Sequence, residues 1–161
     1  MSSVRNKNIL PMHVSDREWL IQTNLSFEQS QSLRDVGRWS LSVPKSGLNV
    51  FWKNVKSRYV SNELPGCAYI MCSTAKSEYE NATVLFFYEN SKDKETIIKY
   101  GMQLIKNIEY KPPENITAIY YKSKKVDMGK YSYLYKIELE DEDKVEDEPL
   151  GIDMKDEQMR L

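Results

Sequence analysis

A chain of 161 residues, 40% of them hydrophobic, is long enough to bury a core without disulfides or a structural metal. Two cysteines, no apolar run near 18 residues and no apolar stretch in residues 1–15 give no support to a disulfide scaffold, a membrane span or a signal peptide, so a cytosolic or nuclear protein is expected. The net charge of −1 conceals an asymmetry: residues 138–161 hold eleven acids against three bases, which leaves twenty bases against thirteen acids in residues 1–137.

Residues 1–14 read as a flexible arm. Ser15 with Glu18, and Ser26 with Gln29, each offer a capping residue with its acceptor three positions on, which predicts a short helical turn at both places. The run "GRWSLSV" (37–43) alternates Trp39, Leu41 and Val43 against Arg38, Ser40 and Ser42, and it stops at Pro44. This is the pattern of a strand with one buried face. In 47–60, Leu48, Trp52, Val55 and Tyr59 fall on one stripe of an amphipathic helix, with Asn49, Lys53 and Lys56 on the opposite face.

The runs "GCAYIMCST" (66–74) and "ATVLFFYE" (82–89) are joined by a polar loop and predict a hairpin. Ser91 is the expected cap of a helix over 92–107, in which Ile97, Gly101, Leu104 and Ile108 share a face. Gly101 would allow close approach to a sheet, and Pro112 and Pro113 end the segment. "ENITAIYYK" and "YSYLYKIEL" are two further strands around a turn at "VDMGK". Residues 138–161 lack aromatics and carry a dense acidic block, a composition that predicts disorder and an internal anionic competitor for any ligand of the basic body.

The order strand, helix, strand, strand, helix, strand, strand predicts one α+β domain over 15–137, an antiparallel sheet with both helices on one face. Its chemistry is sparse. His13, the only histidine, lies in the arm, so no ordered imidazole is expected for a triad or dyad. Cys67 and Cys72 are five apart, point to opposite faces of a strand, and supply no zinc set, so free thiols are expected. Phosphate-loop and dinucleotide fingerprints are absent, and the carboxylates of the body are scattered. No cofactor and no metal is expected, and a binding protein is favoured over an enzyme.

What remains is a basic surface. "YYKSKKVDMGKYSYLY" (120–135) interleaves tyrosines with lysines, as phosphate neutralisation and base stacking require, although an ordinary tyrosine-rich sheet edge has the same look. Lys122, Lys124, Lys125 and, in the other hairpin loop, Lys76 are the candidate phosphate contacts, provided their loops converge on one sheet edge. Ser73 and Thr74 would donate hydrogen bonds to the same phosphate. Tyr121 or Tyr131 would stack a base. The expected ligand is RNA or a phosphorylated nucleotide; the alternative is a protein-interaction module that uses the acidic tail and the exposed face of helix 47–60 around Lys53, Lys56 and Arg58.

From "GRWSLSV" through "LNVFW", "GCAYIMC", "TVLFFYEN" and "ITAIYYKS", the order and spacing of motifs over about residues 37–123 resembles the cap-binding translation initiation factor 4E. "CSTA" and "YYKSKKVDMGKYS" resemble more closely the basophilic-leukaemia-expressed protein family, a group with an initiation-factor-4E-like fold. This resemblance implies a curved antiparallel sheet backed by helices, with a concave face able to hold a nucleotide. It implies phosphate-contacting residues after "AYIMCST", where Lys76 is the nearest candidate and Cys72, Ser73 and Thr74 stand where an arginine is expected. It does not imply methylguanosine recognition, because Trp39 and Trp52 fall on core positions and no pair of loop tryptophans is present. Members of this family are also likened to phosphothreonine lyases, which makes a lyase the second alternative.

Overall fold

The computed structural model describes residues 9–123 and 132–139. Six strands, β1 (Trp19–Thr23), β2 (Gly37–Pro44), β3 (Tyr69–Ser73), β4 (Asn81–Tyr88), β5 (Ala118–Ser123) and β6 (Tyr135–Glu138), form one sheet in the order β1-β3-β4-β2-β5-β6. Every neighbouring pair is antiparallel. Three α-helices, α1 (Phe27–Gln31), α2 (Leu48–Val60) and α3 (Lys94–Asn107), and two short 3-10 turns, Pro11–His13 and Lys45–Gly47, complete the described elements.

The capping pattern at Ser26 is real: its hydroxyl accepts from the Gln29 N–H, and the Gln29 side chain accepts from the Ser26 N–H. The same pattern at Ser15 is overridden. Residues 19–23 pair along their whole length with β3, and a ladder of that length outweighs a local cap signal. Residues 9–14, expected in a flexible arm, are packed. Pro11 and Val14 are buried, and the Met12 N–H donates to Asn49 Oδ1 on α2 at 2.9 Å. Residues 1–8 of that arm and residues 140–161 of the tail lie outside the described residues, while Glu138 belongs to β6.

The core lies between the sheet and the two long helices. Alternation on β2 sends Trp39, Leu41 and Val43 into it, and α2 contributes Leu48, Trp52, Val55 and Tyr59, as their spacing predicts. The Trp39 indole donates to the Ile97 carbonyl at 3.1 Å, so its polar edge is satisfied inside the core. Gly101 holds α3 against the sheet: a Cβ there would lie 2.6 Å from Trp39 and 2.7 Å from Ile137. The cap of α3 is Asp93 and not Ser91, because the Asp93 carboxylate accepts from the Thr96 N–H at 3.3 Å. Ser91 is buried instead, donating to the Asp35 carbonyl at 2.8 Å.

The two long helices cover only this face, while α1 stands at the β1–β3 edge of the other. On the other, a small cluster of Tyr69, Leu85 and Phe87 is packed, with Tyr69 stacked on Phe87 at 4.3 Å between ring centroids. The rest of that face is open.

Candidate ligand site on the open sheet face

Strand parity decides which side chains reach the open face. On β2 these are Arg38, Ser40 and Ser42; on β5, Ala118, Tyr120 and Lys122; on β6, Lys136 and Glu138, since their alternate neighbours lie in the helix-side core. Register then sets them side by side. Arg38 is opposite Lys122, Ser40 is opposite Tyr120, and Tyr120 is opposite Lys136.

Three cations therefore surround one tyrosine. The Tyr133 ring stands 4.8 Å from that of Tyr120 at an interplanar angle of 51°, and both tyrosines are partly exposed. A cavity of about 370 Å³ opens here, lined by Ser40, Ser42, Tyr120, Lys122 and Tyr133 among others. The Arg38–Lys122 register sets two basic side chains opposite one another on the open face. Lys136 is held at 3.0 Å by Glu138, whose carboxylate raises the lysine pKa.

Several residues expected at the site are elsewhere. Tyr121 is fully buried, edge-on to Trp39, with its hydroxyl 2.9 Å from Ser91 Oγ and donating to the Tyr88 carbonyl at 3.3 Å. It has no face to offer a base, and burial pushes its pKa up to about 12. Its neighbour Tyr120 lies on the open face instead, because a shift of one residue along a strand exchanges the faces. Ser73 and Thr74 are buried. Ser73 Oγ accepts from the Thr83 N–H, while the Thr74 hydroxyl donates to the Arg17 carbonyl and accepts from the Lys76 N–H, so both are engaged in fixing the hairpin.

Lys76 does not converge with Lys122. It sits on the β3–β4 loop at the Pro44 end of β2, where the Lys45 ammonium donates to the Ser77 carbonyl at 2.8 Å; Lys122 pairs with Arg38 at the Gly37 end. Seven residues of strand and three strand spacings separate the two ends, about 23 Å along the sheet and 14 Å across it. One phosphate cannot span that gap. Lys124, Lys125 and Tyr131 lie outside the described residues. His13 is exposed on the turn Pro11–His13, whose Pro11 carbonyl accepts from the Ala75 N–H, at the end of the sheet opposite Lys122.

Arg38, Ser40, Ser42, Tyr120, Tyr133 and Lys136 were not expected at the site. The signal for most of them was present, since the polar alternation of "GRWSLSV" and the spacing of Tyr120 two before Lys122 both mark one face. Which other strand faced them was not readable before the sheet order was known.

A second hollow of about 730 Å³ lies on the other half of the face, between β1, α1 and β3, and its lining includes Ile21, Leu25, Phe27, Leu33, Tyr69 and Met71. Outside the face, Lys53 is exposed on α2, Lys56 is half-buried with its pKa lowered by desolvation, and Arg58 is bound to Glu63 and Asn54. Cys67 and Cys72 are free thiols, and burial pushes the pKa of both up to about 12, well away from thiolate reactivity. Among the described residues no group of three or more His, Cys, Asp or Glu is placed to hold a metal ion, and no helix is long and apolar enough to cross a membrane.

No family model and no curated protein matches this chain. The likeness to the basophilic-leukaemia-expressed family therefore rests on its short motifs alone. Solved structures do match. A schistosome eIF4E complexed with m7GpppA and 4E-BP superposes with a TM-score of 0.59 at 12% identity, over 84% of this chain and 79% of that one. Ascaris suum eIF4E-3 with an m2,2,7G cap gives 0.58 at 15%, over 84% and 78%. C. elegans eIF4E-3 with the 4E-binding protein Mextli and a cap analog gives 0.53 at 13%, over 74% and 70%. At such identities the likeness is one of fold. The chain has an α+β, initiation-factor-4E-like fold, an antiparallel sheet backed by helices on one face.

Proposed function

We propose that this is a non-catalytic binding protein whose open sheet face takes the phosphate and base of RNA or of a phosphorylated nucleotide, on the half built by β2, β5 and β6. The observation that carries this reading is the register that sets Arg38 against Lys122 and Lys136 against Tyr120. A phosphate seated between Arg38 and Lys122 would meet a guanidinium able to grip two oxygens and an ammonium acting as a point charge. Tyr120 offers the adjacent stacking surface, worth about 1–3 kcal/mol per base. The Ser40 and Ser42 hydroxyls supply donors and acceptors suited to a ribose 2′-OH or a base edge.

The structures of this fold bound to m7GpppA and to an m2,2,7G cap support a nucleotide ligand in general. The reading stops short of a methylated cap. Trp39 and Trp52 are buried in the core, and the aromatic pair beside the cations is Tyr120 and Tyr133, tilted and not parallel.

The test is a titration of short single-stranded RNA and of mono- and dinucleotides, followed by fluorescence anisotropy across a salt series. Saturable binding that weakens linearly in log affinity against log salt is expected. Absence of saturable binding at low salt would sink the reading.

A second reading has its own support. Val50 and Val60 are exposed on α2, close to Lys53, and two structures of this fold were solved with 4E-BP or with Mextli. A protein partner on that helix would leave nucleotide affinity unchanged by Val50→Asp while abolishing capture of the partner.

A further inference from the structure

We infer that residues 150–154 of this same chain dock in the hollow between β1, α1 and β3, with the acidic block at 140–148 crossing the basic half of the face on the way. The hollow asks for an apolar occupant. Phe27 is 78% exposed and Ile21 is 55% exposed, and both line its wall together with Leu25, Leu33 and Met71, with Thr23, Ser26, Ser30, Gln31 and Asp35 as its polar part. Large apolar side chains left exposed around one hollow are the feature that marks an interaction site.

The chain itself supplies a fitting segment. In "PLGIDM", Leu150, Ile152 and Met154 alternate with Gly151 and Asp153, so an extended backbone presents three large apolar side chains to one side. The nine residues before Pro149 hold seven acids, Glu140, Asp141, Glu142, Asp143, Glu146, Asp147 and Glu148, against Lys144 alone. They are complementary in charge to Lys136 on β6, Lys122 on β5 and Arg38 on β2, which lie along the way from Leu139 to the hollow.

Reach allows the path. The Leu139 N–H donates to the Thr117 carbonyl at 2.9 Å, which fixes the last described residue beside the start of β5. From β6 to β3 and β1 is four to five strand spacings, about 19–24 Å, with roughly 10 Å of offset along the strands. The eleven residues from Leu139 to Leu150 span up to about 36 Å when extended. Sequence order, charge order and apolar order all run the same way across the face.

The experiment uses the full chain with a photoreactive benzophenone side chain in place of Ile152, irradiated without RNA and mapped by mass spectrometry. Adducts within one chain to peptides covering Ile21–Val36 or Tyr69–Met71 are expected, at a yield independent of protein concentration. Phe27→Ala, at an exposed position that leaves the core intact, is expected to cut that yield several-fold, as is replacing the seven acids by Asn and Gln. Adducts scattered over other surfaces, adducts between chains that grow with concentration, or a yield indifferent to Phe27→Ala would each overturn the inference. Because no nucleotide is present, failure here is distinct from failure of the RNA reading.

Discussion

Exchanging two adjacent tyrosines tests the placement of the site. Tyr121→Phe removes a hydroxyl that contacts Ser91 Oγ at 2.9 Å and the Tyr88 carbonyl at 3.3 Å in a fully buried setting. Losing those contacts and stranding part of the Ser91 hydrogen bonding costs about 1–2 kcal/mol of stability. Since the ring still packs on Trp39, nucleotide affinity should stay within about twofold. Tyr120→Ala does the reverse. It removes a half-exposed ring whose aromatic neighbour is Tyr133, costing about 0.5–1 kcal/mol of stability, while the loss of one stacking surface weakens binding by about 5- to 150-fold. Urea denaturation and anisotropy titrations on both variants read the two axes. If Tyr121→Phe weakened binding as much as Tyr120→Ala, or if Tyr120→Ala left binding unchanged, the assignment of faces to functions would be refuted.

Other outcomes follow from the same geometry. Gly101→Ala gains about 1 kcal/mol of helix propensity but drives a methyl into Trp39, which its indole bond to Ile97 holds in place, so a net loss of about 1–2 kcal/mol is expected in the urea midpoint. Lys122→Ala should flatten the salt dependence of RNA binding by about one phosphate contact, whereas Lys76→Ala, at the far end of the sheet, should leave it unchanged. The buried Cys72 thiol, pushed from 9.0 up to about 12 by desolvation, binds its proton in the folded state where the unfolded state has lost it. Its stabilisation is therefore complete below pH 9 and is lost as pH rises from there through about 12, at up to about 1.4 kcal/mol per pH unit. Thermal melts between pH 8 and 11 should show that decline, and Cys72→Ala should make it shallower.

The parts of this molecule that were legible in the sequence are those governed by local period. Trp39, Leu41 and Val43 alternate into the core, and Leu48, Trp52, Val55 and Tyr59 form the buried stripe of α2, because burial follows the repeat of the element. Gly101 was readable for the same reason. What local pattern could not supply was pairing. The Ser15 cap signal lost to a ladder made with residues some fifty positions away, and Ser91 went to the core because Asp35 and Tyr121 meet it there. The site suffered most from this. Lys76 and Lys122 were grouped by composition, yet sheet order and register place them at opposite ends, and the parity of β5 exchanged Tyr121 for Tyr120.

The central claim is a location, and amide chemical-shift mapping on addition of a short RNA tests it most directly. Shifts concentrated at Gly37–Ser42, Ala118–Ser123 and Tyr135–Glu138 are predicted. Shifts confined to α2 or to the Ser73–Tyr79 hairpin end, or no shifts at all, would contradict it.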